Sequence, residues 1–206
     1  MTSTNDPSQE IIDQFVGYAH GHFPEVKELL DKYPAIINCN ASWTETAIEA
    51  AAQTGQVEIV NYLLAHGAEY DICTAAMLGS KDCLEQFLKE DPGLVNARGA
   101  HGIPLLYFPV IRSNIVIADY LLQQGADPNA ASPGGITPLH GAAMFNKPQM
   151  ARWLLDHASP DLGWRNFQGR TILELAHERG SEEMITLLEN HADVDRTPGS
   201  MDTPPG

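Results

Sequence analysis

Histidines, cysteines and carboxylates are the residues here able to do chemistry, and their spacing decides whether they do. The chain carries eight histidines and three cysteines. His20-Gly21-His22 sets two imidazoles side by side, but no further ligand stands nearby in sequence and a metal centre needs three or four; exposed turn residues are expected instead. Cys39, Cys73 and Cys83 form no pairing motif. A Cys–His nucleophile would meet only in space, and Cys73 and Cys83 fall at helix positions where small buried residues are usual. Glu49 and Glu174 could be read as an acid–base pair. Each, however, stands three residues after a threonine, Thr46 or Thr171, which is the spacing of a helix capping box. Ser132-Pro133-Gly134-Gly135 is too short to cradle a phosphate and lacks a following Lys-Ser/Thr, so it reads as a turn. No Gly-x-Ser-x-Gly, Cys-x-x-Cys or His-Glu-x-x-His occurs. The expectation is a protein that is not an enzyme, with no catalytic residue, no metal and no cofactor.

Charge narrows the partner. The formal net charge is −15, and residues 1–97 hold 15 acids against 4 bases. Phosphate contacts need Lys and Arg, so nucleic acid and anionic membrane are not expected, whereas an acidic flank steers a basic protein. No apolar run approaches the roughly 18 residues of a membrane helix. The polar start, Met1 to Glu10, lacks the basic and apolar regions of a secretory signal. An odd number of unpatterned cysteines points to the reducing cytoplasm.

The elements that would position any site are helices. Thr137 reads as an N-cap, Pro138 as a first helical residue, and Met150 to Leu155 as a second apolar helix after a break at Asn146. One such hairpin cannot bury its apolar face alone. The chain supplies neighbours through a paired apolar ending: Leu29-Leu30, Leu63-Leu64, Phe87-Leu88, Leu121-Leu122, Leu154-Leu155 and Leu187-Leu188, at steps of 34, 24, 34, 33 and 33 residues. Helix starts run in phase at Ile12, Thr46, Tyr70, Ile103, Thr137 and Thr171, and breaks at Gly21, Gly55, Gly79, Arg112, Asn146 and Gly180.

A period near 33, Thr137-Pro138-Leu139-His140, a mid-repeat glycine, and Leu121-Leu122-Gln123-Gln124-Gly125-Ala126-Asp127 together resemble the ankyrin repeat. The resemblance implies an all-α solenoid of helix-turn-helix repeats with β-turn fingers. Six repeats are expected over residues 9–195, at about 9–40, 41–69, 70–97, 98–130, 131–162 and 163–195, with residues 1–8 and 196–206 disordered. It also assigns His140 a structural bond near Thr137 and the neighbouring turn.

Two repeats depart from the pattern. Repeat three starts about ten residues early, so the finger between repeats two and three should be missing and leave a gap, with Asp71 as the helix cap. Repeat four has no cap hydroxyl at Ile103, one extra residue, and Pro109 inside its first helix, which predicts a kink or bulge near Pro109 to Arg112.

The resemblance implies that the two residues before each break face a concave groove. They are Gln53-Thr54, Met77-Leu78, Val110-Ile111, Met144-Phe145 and Glu178-Arg179, so the three central pairs would form an apolar stripe with a polar rim. Packing against neighbouring repeats is the alternative. Trp43, His101, Trp164 and Phe167 are expected at finger tips, although Phe167 could tuck under its own turn and Trp43 could cover the missing finger.

The function expected is a monomeric scaffold that binds a protein through groove and tips, the acidic charge favouring a basic partner. Changing Met77, Ile111 and Phe145 together to Ser should then abolish capture and leave melting almost unmoved. One alternative is a small-molecule or weakly catalytic site where Tyr107, Phe108 and His140 converge near Pro109. Another is a regulatory subunit that sequesters a cognate enzyme.

Overall fold

The computed structural model describes residues 7–195, with side chains described to His191. Of the disorder expected for residues 1–8 and 196–206, residues 1–6 and 196–206 lie outside the described residues, while Pro7 and Ser8 are placed, Ser8 as the cap of the first helix. Twelve α-helices follow one another as six pairs: α1 (Gln9–Tyr18) with α2 (Phe23–Lys32), α3 (Ala47–Gln53) with α4 (Val57–Ala65), and α5 (Ile72–Leu78) with α6 (Lys81–Glu90). The series continues with α7 (Tyr107–Ile111) and α8 (Ile115–Gln123), α9 (Pro138–Met144) and α10 (Pro148–Ala158), α11 (Ile172–Arg179) and α12 (Glu182–Asp195). Each pair packs on itself, and the first helices pack in sequence, α1 on α3, α3 on α5, and so on to α11. This is the helical solenoid that the resemblance implied.

Local chemistry sets the helix starts. Thr46 and Thr171 accept from the backbone N–H of Glu49 and Glu174, whose side chains return to the cap backbone, so both capping boxes form. Asp71 caps α5 by accepting from Thr74 at 2.6 Å. Ser8 caps α1, so that helix begins at Gln9, earlier than the expected Ile12. The stack is close because its inner layer is lined with alanines: Ala47, Ala50, Ala51, Ala75, Ala76, Ala142 and Ala176 are fully buried.

Repeat four solves its proline differently from the expected kink. The helix starts late, at Tyr107, after a tight turn in which the Tyr107 and Phe108 N–H groups donate to Pro104 and Leu105 at 3.0 and 3.2 Å. Pro109 thus falls in the first turn, where a missing N–H costs no helical bond. The left-handed residue between the two helices is Ser113, at φ 56°, rather than Arg112, which absorbs the extra residue.

Four fingers share one hairpin. Backbone N–H groups of Ala41, Gly99, Ser132 and Asn166 donate to Glu45, Ile103, Ile136 and Arg170 at 2.8 to 3.0 Å. Thr44, Gly102, Gly135 and Gly169 take the left-handed position. A Cβ on Gly135 would lie 2.8 Å from Arg165 O and Asn166 Cα, because fingers five and six pack backbone to backbone. Between repeats two and three the chain passes from Ala65 to the cap Asp71 with no finger, as expected. The gap is not left open: the finger of repeat four, at Ala100–Gly102, packs against α3 of repeat two.

Asparagines stitch the turns behind the fingers. Asn96 and Asn129 accept from the backbone N–H of Asp127 and Asp161, and Asn38 both donates to Gly67 O at 3.1 Å and accepts from Glu69 N at 2.9 Å. Asn38→Ala is expected to cost about 1 kcal/mol, the net worth of exposed hydrogen bonds of this kind. Urea unfolding measures it, and an unchanged midpoint would show that water replaces both bonds.

Candidate protein-binding face

The groove pairs do not all face outward, and the register explains which do. Met77 and Ile111 are each 2% exposed and Val110 is fully buried. These three are core between stacked inner helices, contrary to the expected open stripe. With the break in repeat four at Ser113, the residues matching Met77-Leu78 and Met144-Phe145 are Ile111-Arg112, and Val110 sits one place deeper. The first members Gln53, Met77 and Ile111 are all buried, Gln53 against Glu45 of its own repeat and His20 of the preceding one. The second members, Thr54, Leu78, Arg112 and Phe145, reach the surface in part or in full, and Met144 joins them at the less crowded end. The stripe is therefore shorter and more polar than the sequence implied.

Apolar groups stand clear at the start of α8, where Ile115 and Val116 are exposed, and, as aromatics, on the finger side. Phe167 is 73% exposed and does not tuck under its turn, while Trp43 and Trp164 are 41% and 40% exposed. His101 is exposed on its tip in the left-handed conformation, φ 56°. The fingers carrying these groups are held rigidly. Phe167 N–H donates to Gly134 O at 2.8 Å, and the Arg98 guanidinium bonds both Gly102 O and Ala131 O at 2.8 and 2.7 Å.

One cluster on this face was not foreseen. Glu45 follows the left-handed turn residue of finger two, where fingers four and five carry isoleucine, and its carboxylate is fully buried. The Trp43 indole N–H donates to its Oε2 at 2.7 Å, and the Gln53 amide donates to Oε1. His20 Nε2 and His101 Nε2 lie 3.7 and 3.5 Å from the same Oε2. So His20, read as an exposed turn residue, is half-buried and directed inward, whereas His22 is exposed as expected. The signal available in sequence was an acidic residue at a position that fingers four and five fill with isoleucine.

The alternative site near Pro109 is closed. Tyr107, Phe108 and His140 are 3%, 1% and 1% exposed, so these side chains offer no opening to a bound molecule. Burial pushes the Tyr107 hydroxyl well above its ordinary range, and that hydroxyl donates to Gln53 O at 3.3 Å. His140 Nδ1 pairs with Thr137 Oγ1 at 2.8 Å. Burial holds the His140 ring below the usual histidine range against a weaker pull from the Arg170 backbone, and Nε2 makes no hydrogen bond. Burial likewise pushes the Cys73 thiol far up, which disfavours the thiolate a nucleophile needs. Cys83 is half-buried rather than enclosed. Among the described residues, no group of three or more His, Cys, Asp or Glu is placed to hold a metal ion, and no helix is long and apolar enough to cross a membrane.

Comparison with known proteins agrees with the repeat architecture. A family model for three copies of the ankyrin repeat matches residues 110–198, and a single ankyrin repeat model matches residues 45–75. Cyclin-dependent kinase 4 inhibitor B of Bos taurus is 33% identical over 127 residues, covering 59% of this chain and 92% of that protein. The RelA-associated inhibitor of Mus musculus is 31% identical over 131 residues, 62% of this chain, and the nuclear factor NF-kappa-B p105 subunit of Gallus gallus 26% over 187, 82% of it. The matches span only 15% and 19% of those two longer proteins. Repeat period, capped helix pairs, fingers and family models together place this chain in the ankyrin repeat family.

Proposed function

We propose that the chain is a non-enzymatic scaffold that captures a protein partner on its finger side, with Leu78, Met144 and Phe145 contributing from the groove. The observation that carries this is the set of aromatic groups standing out of rigid fingers, above all Phe167 at 73% exposed. Large aromatics are common hot spots, and a preformed stack loses little ordering entropy on binding. The acidic first half favours a basic partner, and the chain acts as a monomer in the cytoplasm. Trp164→Ala with Phe167→Ala is expected to weaken capture from native extract by about tenfold or more, with the melting temperature unmoved. Undiminished capture would overturn the assignment to the fingers.

A regulatory role is the more specific form of this reading. Two of the relatives are named as inhibitors, one of them of cyclin-dependent kinase 4. Sequestration of an enzyme through the acidic half would weaken steeply with salt, and salt-insensitive capture would count against it.

A further inference from the structure

The Glu45 cluster combines a buried carboxylate with a buried amide oxygen that has no partner. The Glu45 carboxylate is 0% exposed, and among the described residues it has the imidazoles of His20 and His101 within 4 Å and no Lys or Arg ion pair. His20 Nδ1 donates to Gly17 O at 3.2 Å, which fixes the ring with Nε2 turned toward the cluster. That Nε2 faces the Gln53 amide nitrogen at 3.2 Å. The other amide atom, Gln53 Oε1, is buried with no hydrogen-bond partner, and Gln53 is itself only 8% exposed. Buried carboxylates are normally paired with a cation, and buried acceptors with a donor. Here the Glu45 carboxylate accepts hydrogen bonds only from the Trp43 indole and the Gln53 amide nitrogen, and the oxygen of that same amide is left buried and unpartnered.

The shape of the deficit selects the cation. A metal ion is not indicated, since no such ligand set is placed to hold one. A guanidinium is flat, carries five N–H donors, pairs with a carboxylate two bonds at a time and stacks on an indole face. An ammonium offers three donors around a point and no plane. Trp43, 41% exposed beside the carboxylate, supplies the indole. The cover is His101: its ring stays 3.5 Å from Oε2, its side chain is 49% exposed, and it rides on the one finger that crosses the gap left by repeat three.

We propose that Glu45 seats the guanidinium of an arginine on the protein partner, entering between Trp43 and His101 as the imidazole swings aside. This rests on the finger side being the binding face, and the net charge of −15 favours such a partner. The test is an NMR titration of the full chain at constant ionic strength with N-acetyl-arginine methylamide, its citrulline counterpart and its lysine counterpart. The arginine compound should shift the Trp43 indole N–H and the His20 and His101 ring signals saturably, leaving the Trp153 and Trp164 indoles in place. Citrulline and lysine compounds should bind weaker by about tenfold or more, and Glu45→Gln should lose the response by a similar factor. His101→Ala, at an exposed tip, should bind at least as tightly as the wild type. Equal shifts with citrulline, equal binding of lysine, or an unchanged response in Glu45→Gln would each overturn the assignment. If Glu45→Gln fails to fold, the arginine-to-citrulline ratio in the wild type decides alone. Trp164→Ala with Phe167→Ala leaves the Glu45 cluster untouched, so loss of the arginine seat and loss of the scaffold reading show up separately.

Discussion

Met77→Ser with Ile111→Ser should leave a protein that is unfolded, or melts at least about 15 °C lower, whatever it does to binding. Both side chains are 2% exposed, and they belong to α5 and α7, which pack directly on each other. Truncating a buried Met or Ile costs about 2–5 kcal/mol through lost transfer energy and the cavity left behind. Each serine also buries a hydroxyl, which costs about 1–3 kcal/mol more where no partner is in reach. The two together approach a typical total stability of about 5–15 kcal/mol. At about 2–4 °C per kcal/mol for a chain of this size, the melting shift follows. Circular dichroism during heating measures it. A shift of only a few degrees would return both residues to the groove and undo the register argument. Phe145→Ser is the control, because Phe145 is half-buried at the end of α9 and should change stability little by comparison.

What the sequence made legible was local. Thr46 with Glu49, Thr171 with Glu174, and Asp71 ahead of α5 were readable as caps because each motif lies within one helical turn, and all three form. The repeat ladder was readable because its phase survives a missing finger and an added residue. The inward members of the groove pairs were not. Whether Met77 faces partner or neighbour depends on how repeat four is set on repeat three, and one extra residue before Ser113 moved Val110 and Ile111 a place inward.

The Glu45 cluster escaped for a related reason. It joins His20 of repeat one, Glu45 and Gln53 of repeat two and His101 of repeat four. No spacing rule brings those residues together. They meet because finger three is absent and finger four closes on α3 in its place. The shortened repeat was seen in the sequence as a gap, and its consequence was a contact between repeats that are not neighbours in the chain.

The same closeness makes Gly141 a position where the usual helix rule should reverse its sign. Gly141 lies in α9, and glycine to alanine inside a helix ordinarily gains about 1 kcal/mol. Here an added Cβ would stand 2.7 Å from two carbons of the Tyr107 ring and 3.3 Å from Ile111 Cγ2. The ring has little room to give: it is 3% exposed, its hydroxyl is bonded to Gln53 O, and Phe108 and Phe145 flank it edge-on at 5.7 and 6.4 Å. Overpacking of this kind costs about 1–3 kcal/mol and should outweigh the propensity gain, so Gly141→Ala is expected to destabilise. In a Tyr107→Ala background the obstacle is gone, and the same change should stabilise by up to about 1 kcal/mol. The coupling read from that double-mutant cycle should therefore reach about 1–3 kcal/mol, within the range of residues in direct contact. Urea unfolding of the four proteins measures it. An additive cycle would mean that α7 and α9 part readily, and that the seam between repeats four and five is looser than the buried ring implies.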